Sequence, residues 1–380
     1  MSIQSEIDRI ITAVGAAYDA VESKGGTAPA AQTIEELAAA VSTIPTGIAP
    51  QLIVTVSAGA TVTATNGSKT ISGTADSTGV CTLTVPETGT WSVSATLGGQ
   101  TSNTQSVSVK DSYALTLYFV SSTLNNNEWS VIKSVSDAGQ GANYWSIGDR
   151  KAVTLNGTVG ALTLSNYKTY VFIIGFNHNA SVEGTNRIHF QFGKTALSGG
   201  KDVCLCDELY NSEVSNIGYF SMNSTDTNSG GWKSSQMRTA ICGTSLSNYS
   251  GTIIAVIPAA LRAVLKSVTK YTDNTGNGSD AASNITATTD YFFLLSEFEV
   301  FGSIELANSN EQNKQTQYAY YSAGNSKIKY KHDGTSTAAI WWLRSPFAVK
   351  YSHFTTVYKD GMADANLSVT SLGFAPGFCV

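Results

Sequence analysis

Apolar residues change their spacing twice along this chain, and each change marks a different kind of element. Over the first 45 positions the spacing is helical. Ile3, Ile7, Ile10, Val14, Ala17 and Val21 follow at intervals of 4, 3, 4, 3 and 4, the seam of a coiled coil. Gly25-Gly26 breaks this helix. A second is predicted to open at Thr33-Ile-Glu-Glu36, which reads as a capping box, and to carry the seam through Ile34, Leu37, Val41 and Ile44 until Pro45. Isoleucine or valine at both seam positions favours trimers or higher assemblies over dimers. The same face would also suit a helix packed on its own domain, but short helices alone are marginal in water. Residues 1–46 are therefore expected to be an oligomerisation segment that makes the protein a homotrimer.

Past a linker at 45–50 the period becomes two. Leu52, Val54 and Val56 alternate with polar residues. So do Cys81, Leu83 and Val85, then Trp91, Val93 and Ala95, then Val107 and Val109, then Leu115, Leu117 and Phe119. Turn signals separate these runs: Asn66-Gly67, Asp76-Ser-Thr-Gly79, Glu87-Thr-Gly89 and Gly98-Gly99. Residues 51–119 are predicted to form an immunoglobulin-like β-sandwich, a spacer with Cys81 as a small core residue.

From 120 to 380 the pattern is α+β with long irregular connections. Strands are predicted at Tyr170–Gly175, Arg187–Phe192 and Thr252–Val256. A helix is predicted from Pro258, presenting Leu261, Val264, Leu265 and Val268 to the core, and another over Ser235–Cys242. The whole is a multidomain chain.

Composition narrows what such a chain does. Charged residues make up only 13% of 380 and the net charge is −5, so nothing electrostatic recommends nucleic acid or an anionic membrane as partner. No apolar run approaches the ~20 residues of a membrane span, and no secretory signal is visible. Five scattered cysteines do not make a disulfide framework, which points to synthesis in a reducing cytoplasm.

Several stretches fall in a telling order. They are Trp145-Ser-Ile-Gly-Asp149, Ile173-Ile-Gly-Phe-Asn-His178, Met222-Asn-Ser-Thr-Asp-Thr-Asn-Ser-Gly-Gly-Trp232, Ser235-Gln-Met-Arg238, Phe293-Leu-Leu-Ser-Glu-Phe-Glu-Val300 and Trp341-Trp-Leu-Arg-Ser-Pro346. This order resembles an uncharacterised domain family of gut bacteria and their phages that is taken to adopt a C-type-lectin fold. The final segment, bracketed by Trp341–Pro346 and Gly373-Phe-Ala-Pro-Gly-Phe-Cys379, is similar to the variable proteins of diversity-generating retroelements. In those, a lectin-fold domain ends in a stretch rewritten by adenine-directed retrotranscription. The opening Met1-Ser-Ile-Gln-Ser-Glu-Ile-Asp-Arg-Ile10 resembles the start of many phage tail proteins.

The resemblance implies a phage tail-fibre protein, placed in the virion. It would attach to a host cell-surface receptor, protein or glycan, and join other tail proteins through its N-terminus. The expected binding face comprises Phe347, Val349, Tyr351, Ser352, His353, Thr355, Thr356, Tyr358, Ala363, Asp364, Ala365, Asn366, Ser368 and Thr370. Tyrosines with Ser, Thr and Asn resemble the chemistry of antibody paratopes. Tyr351, His353, Thr355, Tyr358, Asp364, Asn366 and Ser368 are expected to share one exposed face, with Phe354 inward and a turn at Asp360-Gly361. Lys350, Lys359 and Met362 cannot arise from Asn codons by adenine changes alone, so they are either framework or a sign that the segment does not vary.

Other chemistry is weaker. A bacterial surface adhesin would need an anchor and a signal. Cys204-Leu-Cys206 with His178 or His189 lacks the second ligand pair of a zinc motif. A cysteine-oxidising lectin-fold enzyme would use Cys204 with Cys206 or Cys379, but the spacing differs. Asp202, Asp207 and Glu208 read as a solvated acidic turn, and His332-Asp333 and His353 have no nucleophile beside them in sequence. Arg344 is expected to be buried against a carboxylate. No catalytic residue, metal or cofactor is expected.

Overall fold

The computed structural model describes residues 2–44, 49–67, 69–212 and 218–380. Residues 45–48, most of the expected linker, lie outside the described residues. The chain divides into two compact units, Met1–Tyr118 and Phe119–Val380, of mixed α and β structure with several antiparallel sheets.

In the first unit, α1 (Ile3–Ser23) starts where the Ser2 hydroxyl accepts the Ser5 N–H, which satisfies one of the orphan amides of a helix start. It ends before Gly25, whose φ of 79° is the left-handed conformation that closes many helices. α2 (Leu37–Ser42) begins later than expected. The box at Thr33–Glu36 does not form: Tyr18 donates to the Thr33 carbonyl at 2.7 Å, residues 34–36 turn, and α2 has no side-chain cap. Tyr18, Val21 and Ala40 are buried together, with Val14, Leu37 and Ile44 packed against them. The apolar seam therefore divides. Its C-terminal half is satisfied within the chain, whereas Ile3 (83% exposed), Ile7 and Ile10 stay open to solvent, as do Ile34 and Val41.

Among the described residues eight strands follow in this unit: β1 (Gln51–Thr55), β2 (Thr61–Asn66), β3 (Lys69–Thr74), β4 (Val80–Thr84), β5 (Gly89–Leu97), β6 (Gln100–Thr101), β7 (Gln105–Val109) and β8 (Ser112–Thr116). One sheet has β1 antiparallel to β4 and parallel to β8. The other has the order β3-β2-β5, with β6 and β7 both paired to β5. Leu52, Val54, Cys81, Leu83, Trp91, Val93, Val107 and Val109 are buried, as period-two spacing requires.

In the second unit, α3 (Trp129–Asp137) precedes the hairpin β9 (Arg150–Val159) and β10 (Leu162–Phe176), then β11 (Ile188–Lys194) and β12 (Val203–Cys204). β13 (Val268–Asp273) and β14 (Ile285–Asp290) form a second hairpin, followed by β15 (Phe292–Phe293), β16 (Lys329–Lys331) and β17 (Gly334–Ala339). β18 (Trp341–Pro346), β19 (His353–Val357), β20 (Ala363–Leu367) and β21 (Gly377–Cys379) complete it. The main sheet runs β15-β21-β11-β10-β9, so the last strand in sequence lies between two earlier ones. Phe190 and Phe378 stack with centroids 5.2 Å apart and Trp129 meets Phe190 edge-on at 5.7 Å. Such offset and edge contacts add to the apolar burial of the rings.

Three local expectations are corrected. Thr252–Val256 is not a strand: Ile253–Val256 make one helical turn, because the Arg262 guanidinium gathers the carbonyls of Ile254, Ala255 and Ile257. The helix expected from Pro258 stops at Arg262, and Val268 opens β13 instead. The helix expected over Ser235–Cys242 forms from Met237 to Cys242, as a π-helix, with Ser235 extended ahead of it.

Candidate functional site

The brackets of the final segment are rigid for visible reasons. Every residue of β18 is buried. Trp341 donates to the Lys327 carbonyl at 2.9 Å and Trp342 to that of Phe220 at 2.8 Å, so each indole is both packed and satisfied. Downstream, a Cβ on Gly373 would lie 2.4 Å from the Cys204 sulfur, and one on Gly377 would lie 2.8 Å from the Phe293 ring. Only glycine fits either place.

Behind β18 lies a buried charge cluster. Arg344 binds both oxygens of Glu299, with Nη2–Oε1 at 2.9 Å, and also Thr272 Oγ1 at 2.7 Å. Lys270 Nζ reaches Glu183 at 2.8 Å, Glu299 at 2.9 Å and the Tyr318 hydroxyl at 2.8 Å. His178 stacks on Tyr318 with ring centroids 3.6 Å apart, and His189 Nδ1 lies 3.2 Å from both Tyr318 Oη and Cys379 Sγ. Burial raises the Glu183 carboxyl, to about 7, despite Lys270 beside it. Burial would raise Glu299 too, but Arg344 and then Lys270 outweigh it and hold that carboxyl well below its usual range. Burial and then Lys270 push His178 down to about 3, so it stays neutral.

Among the described residues, His178, Glu183 and Glu299 are the group whose ligand atoms come within 4.8 Å of one another. Lys270 pairs with both of these carboxylates, and Arg344 with Glu299. Pairing of this kind, with hydrogen bonds to every charge, is what buried ions require. The cluster is a structural post for β18.

The cysteine pair is equally enclosed. Cys204 and Cys206 have sulfurs 3.9 Å apart, both buried, and Cys206 N–H donates to His332 Nδ1. Burial, then Cys204, holds the Cys206 thiol well above its usual range, and burial takes Cys379 up to about 12. Nucleophilic sulfur chemistry needs the opposite shift. The acidic turn is corrected in part: Asp207 is buried and accepts from the N–H groups of Leu209 and Phe220 and from the Ser371 hydroxyl, while Glu208 is exposed.

The segment between the brackets runs as expected: strand β19, a turn, and the return strand β20. Tyr358 and Met362 close the turn, with Gly361 at φ 89°. The fourteen candidate positions sort into three groups. Val349 (72%), Tyr351 (69%) and Tyr358 (38%) are exposed, joined by Met362 (61%) and Lys350. Phe347, His353, Ala363, Asp364, Ala365 and Asn366 are half-buried. Ser352, Thr355, Thr356, Ser368 and Thr370 are buried, which corrects the expectation that Thr355 and Ser368 share the exposed face.

The reason is that β19 is a central strand covered on both faces. Phe354 and Val357 are both fully buried, so Val357 needs no bulge. The buried hydroxyls are committed to the framework: Thr355 donates to the Ser345 carbonyl, and Ser368 donates to the Thr225 carbonyl while accepting the Thr227 N–H.

One residue that organises this face was not visible in the sequence. Asn228 is fully buried, and its side-chain amide donates to the carbonyls of Lys350 at 2.7 Å, His353 at 2.9 Å and Phe347 at 3.4 Å. Its backbone N–H donates to Tyr351 O at 2.6 Å and its Oδ1 accepts the Asn277 N–H. The loop that presents Val349, Lys350 and Tyr351 is therefore clamped from beneath. Burial and then Lys350 lower the pKa of His353, at the foot of the loop.

No curated protein matches the chain. Residues 205–380, which contain Asn228, the charge-bearing β18 and the whole hairpin, match a family described as a domain of unknown function (DUF6273).

Proposed function

We propose that the protein is the receptor-binding protein of a phage tail fibre, which attaches to the host surface through the exposed side of residues 347–366. In this reading the second unit is a C-type-lectin-like domain, β1–β8 form an immunoglobulin-like spacer, and α1 with α2 joins three copies by a coiled coil. The N-terminus meets other tail proteins in the virion.

The observation that carries the reading is a contrast within one short stretch. Trp341, Trp342, Phe374 and Phe378 are fully buried, while Val349, Tyr351, Tyr358 and Met362, between them in sequence, stand in solvent. Large apolar side chains held out on a rigid frame supply contact area at low entropic cost. Exposed positions can change with little effect on stability, usually under ~0.5 kcal/mol, so the frame tolerates a variable face.

A variant with Val349, Tyr351, Tyr358, Asp364 and Asn366 all replaced by Ser tests this. It should melt close to the parent temperature and lose adsorption to the host bacterium. Normal adsorption by a folded variant would refute the proposal.

A further inference from the structure

We infer that β20 is a docking edge for an extended segment of a partner protein, which adds a fourth strand to the β18-β19-β20 sheet. This rests on the attachment reading above and names the class of partner. β20 is the outer strand of its sheet. Two bonds bracket its pairing with β19: Tyr358 N–H donates to the Met362 carbonyl and Ser368 N–H to the Ser352 carbonyl, both at 2.8 Å. The register between them is regular, so Thr356–Asp364 and Phe354–Asn366 are the hydrogen-bonded pairs. The backbone N–H and C=O of Ala363 and Ala365, and the N–H of Leu367, consequently point away from β19. None of these groups has a hydrogen-bond partner among the described residues, while the Leu367 carbonyl is taken by Thr370 N–H.

The edge is also lightly guarded. Natural edge strands are blunted by charge, especially lysine, by proline, by a bulge or by cover; β20, Ala-Asp-Ala-Asn-Leu, is half-buried and carries one charge, Asp364, but no lysine, proline or bulge. Alanine at 363 and 365 lets another backbone come close. Tyr358 and Met362, exposed at the turn that leads into β20, are aromatic and apolar, which suits peptide side chains better than sugar hydroxyls. This is the geometry of strand addition, in which main-chain bonds supply affinity and flanking side chains supply selectivity. It also fits a variable face: side chains around the edge can change while the main-chain platform persists.

The test uses the full-length chain and a library of random linear peptides of about ten residues, longer than a typical strand. Ala365→Pro deletes an outward amide and no inward bond, a place where edge strands accept proline. Ala365→Ser keeps the amide and changes only the side chain. Peptides selected on the parent should bind Ala365→Pro at least about tenfold more weakly than Ala365→Ser, and they should slow hydrogen exchange at the Ala365 amide of the parent. Absence of any selected peptide, or equal binding by a folded Ala365→Pro variant, overturns the inference. If that variant does not fold, exchange at Ala365 in the parent decides alone, since an unprotected amide in the complex excludes strand addition. The two readings fail separately. Adsorption lost in the five-site variant but intact in Ala365→Pro removes the edge and leaves the face; adsorption intact in the five-site variant removes the face.

Discussion

Asn228 shows how much one side chain can hold. Replacing it with Ala removes every bond its amide makes to the carbonyls of residues 347, 350 and 353 and opens a void under them. Carbonyls left unpaired cost ~1–3 kcal/mol each where water cannot reach them. Asn228→Ala should therefore lower stability by roughly 2–4 kcal/mol and weaken host adsorption, as urea denaturation and adsorption assays on one preparation would show. Glu311 makes a second prediction. It is fully buried between Ser345, Gln315 and the Asp273 N–H, and burial raises its carboxyl from 4.5 to about 7. Between those values the folded protein keeps a proton that the unfolded chain has released, so its contribution falls as pH rises, by up to about 3 kcal/mol. Glu311→Gln should lose less stability than the parent between pH 5 and pH 8 in the same denaturation assay; an identical loss would contradict the assignment. Arg344 could be expected to be buried from its place between apolar residues. Asn228 could not, because one Asn within a run of Asn, Ser and Thr looks like any other until the loop it serves is folded.

At the scale of elements, strands of the first unit were legible where Val, Leu and Trp alternate, and less so in β2 and β3. Those two rely on Thr, Ser, Ala and Gly, with only Val62 and Ala64 buried between them in β2. In the second unit the sequence misleads where a distant side chain decides. Ile253–Val256 has strand propensity, yet one guanidinium holds it as a helical turn. Arg262→Met keeps much of the volume and deletes those bonds, and should cost roughly 2–4 kcal/mol, measurable by chemical denaturation. The hairpin was legible because Asp360-Gly361 is a strong turn signal. Its burial was not, since alternation cannot reveal that β19 is covered on both faces.

At the scale of the whole molecule, α1 keeps Ile3, Ile7 and Ile10 in water although α2 shields its other half. Ile3, at 83% exposed, would gain roughly 1.5–3 kcal/mol on full burial and Ile7 and Ile10, at 44% and 45%, about half as much, which favours self-association by this half alone. Light scattering should report a trimer for the full chain and a monomer for a truncation starting at Gln51. A truncation that still forms trimers would place the contact elsewhere. The division of the seam was not readable from spacing, because heptads do not say whether the partner helix comes from the same chain.

The position of β21 has a consequence for how such a protein is proofread. Its residues are translated after the hairpin, yet they insert between β11 and β15 and bring Phe378 to the middle of the aromatic core. A ribosome that meets a premature stop or a frameshift within codons 347–370 never supplies that strand. The product would leave the main sheet split and its core open, a substrate for proteases. Ending the chain after Thr370 should thus yield an insoluble or rapidly degraded protein, as pulse-chase labelling would show. A chain whose final core strand follows its exposed hairpin loses its whole fold, not merely its tip, to any misprint that ends translation early.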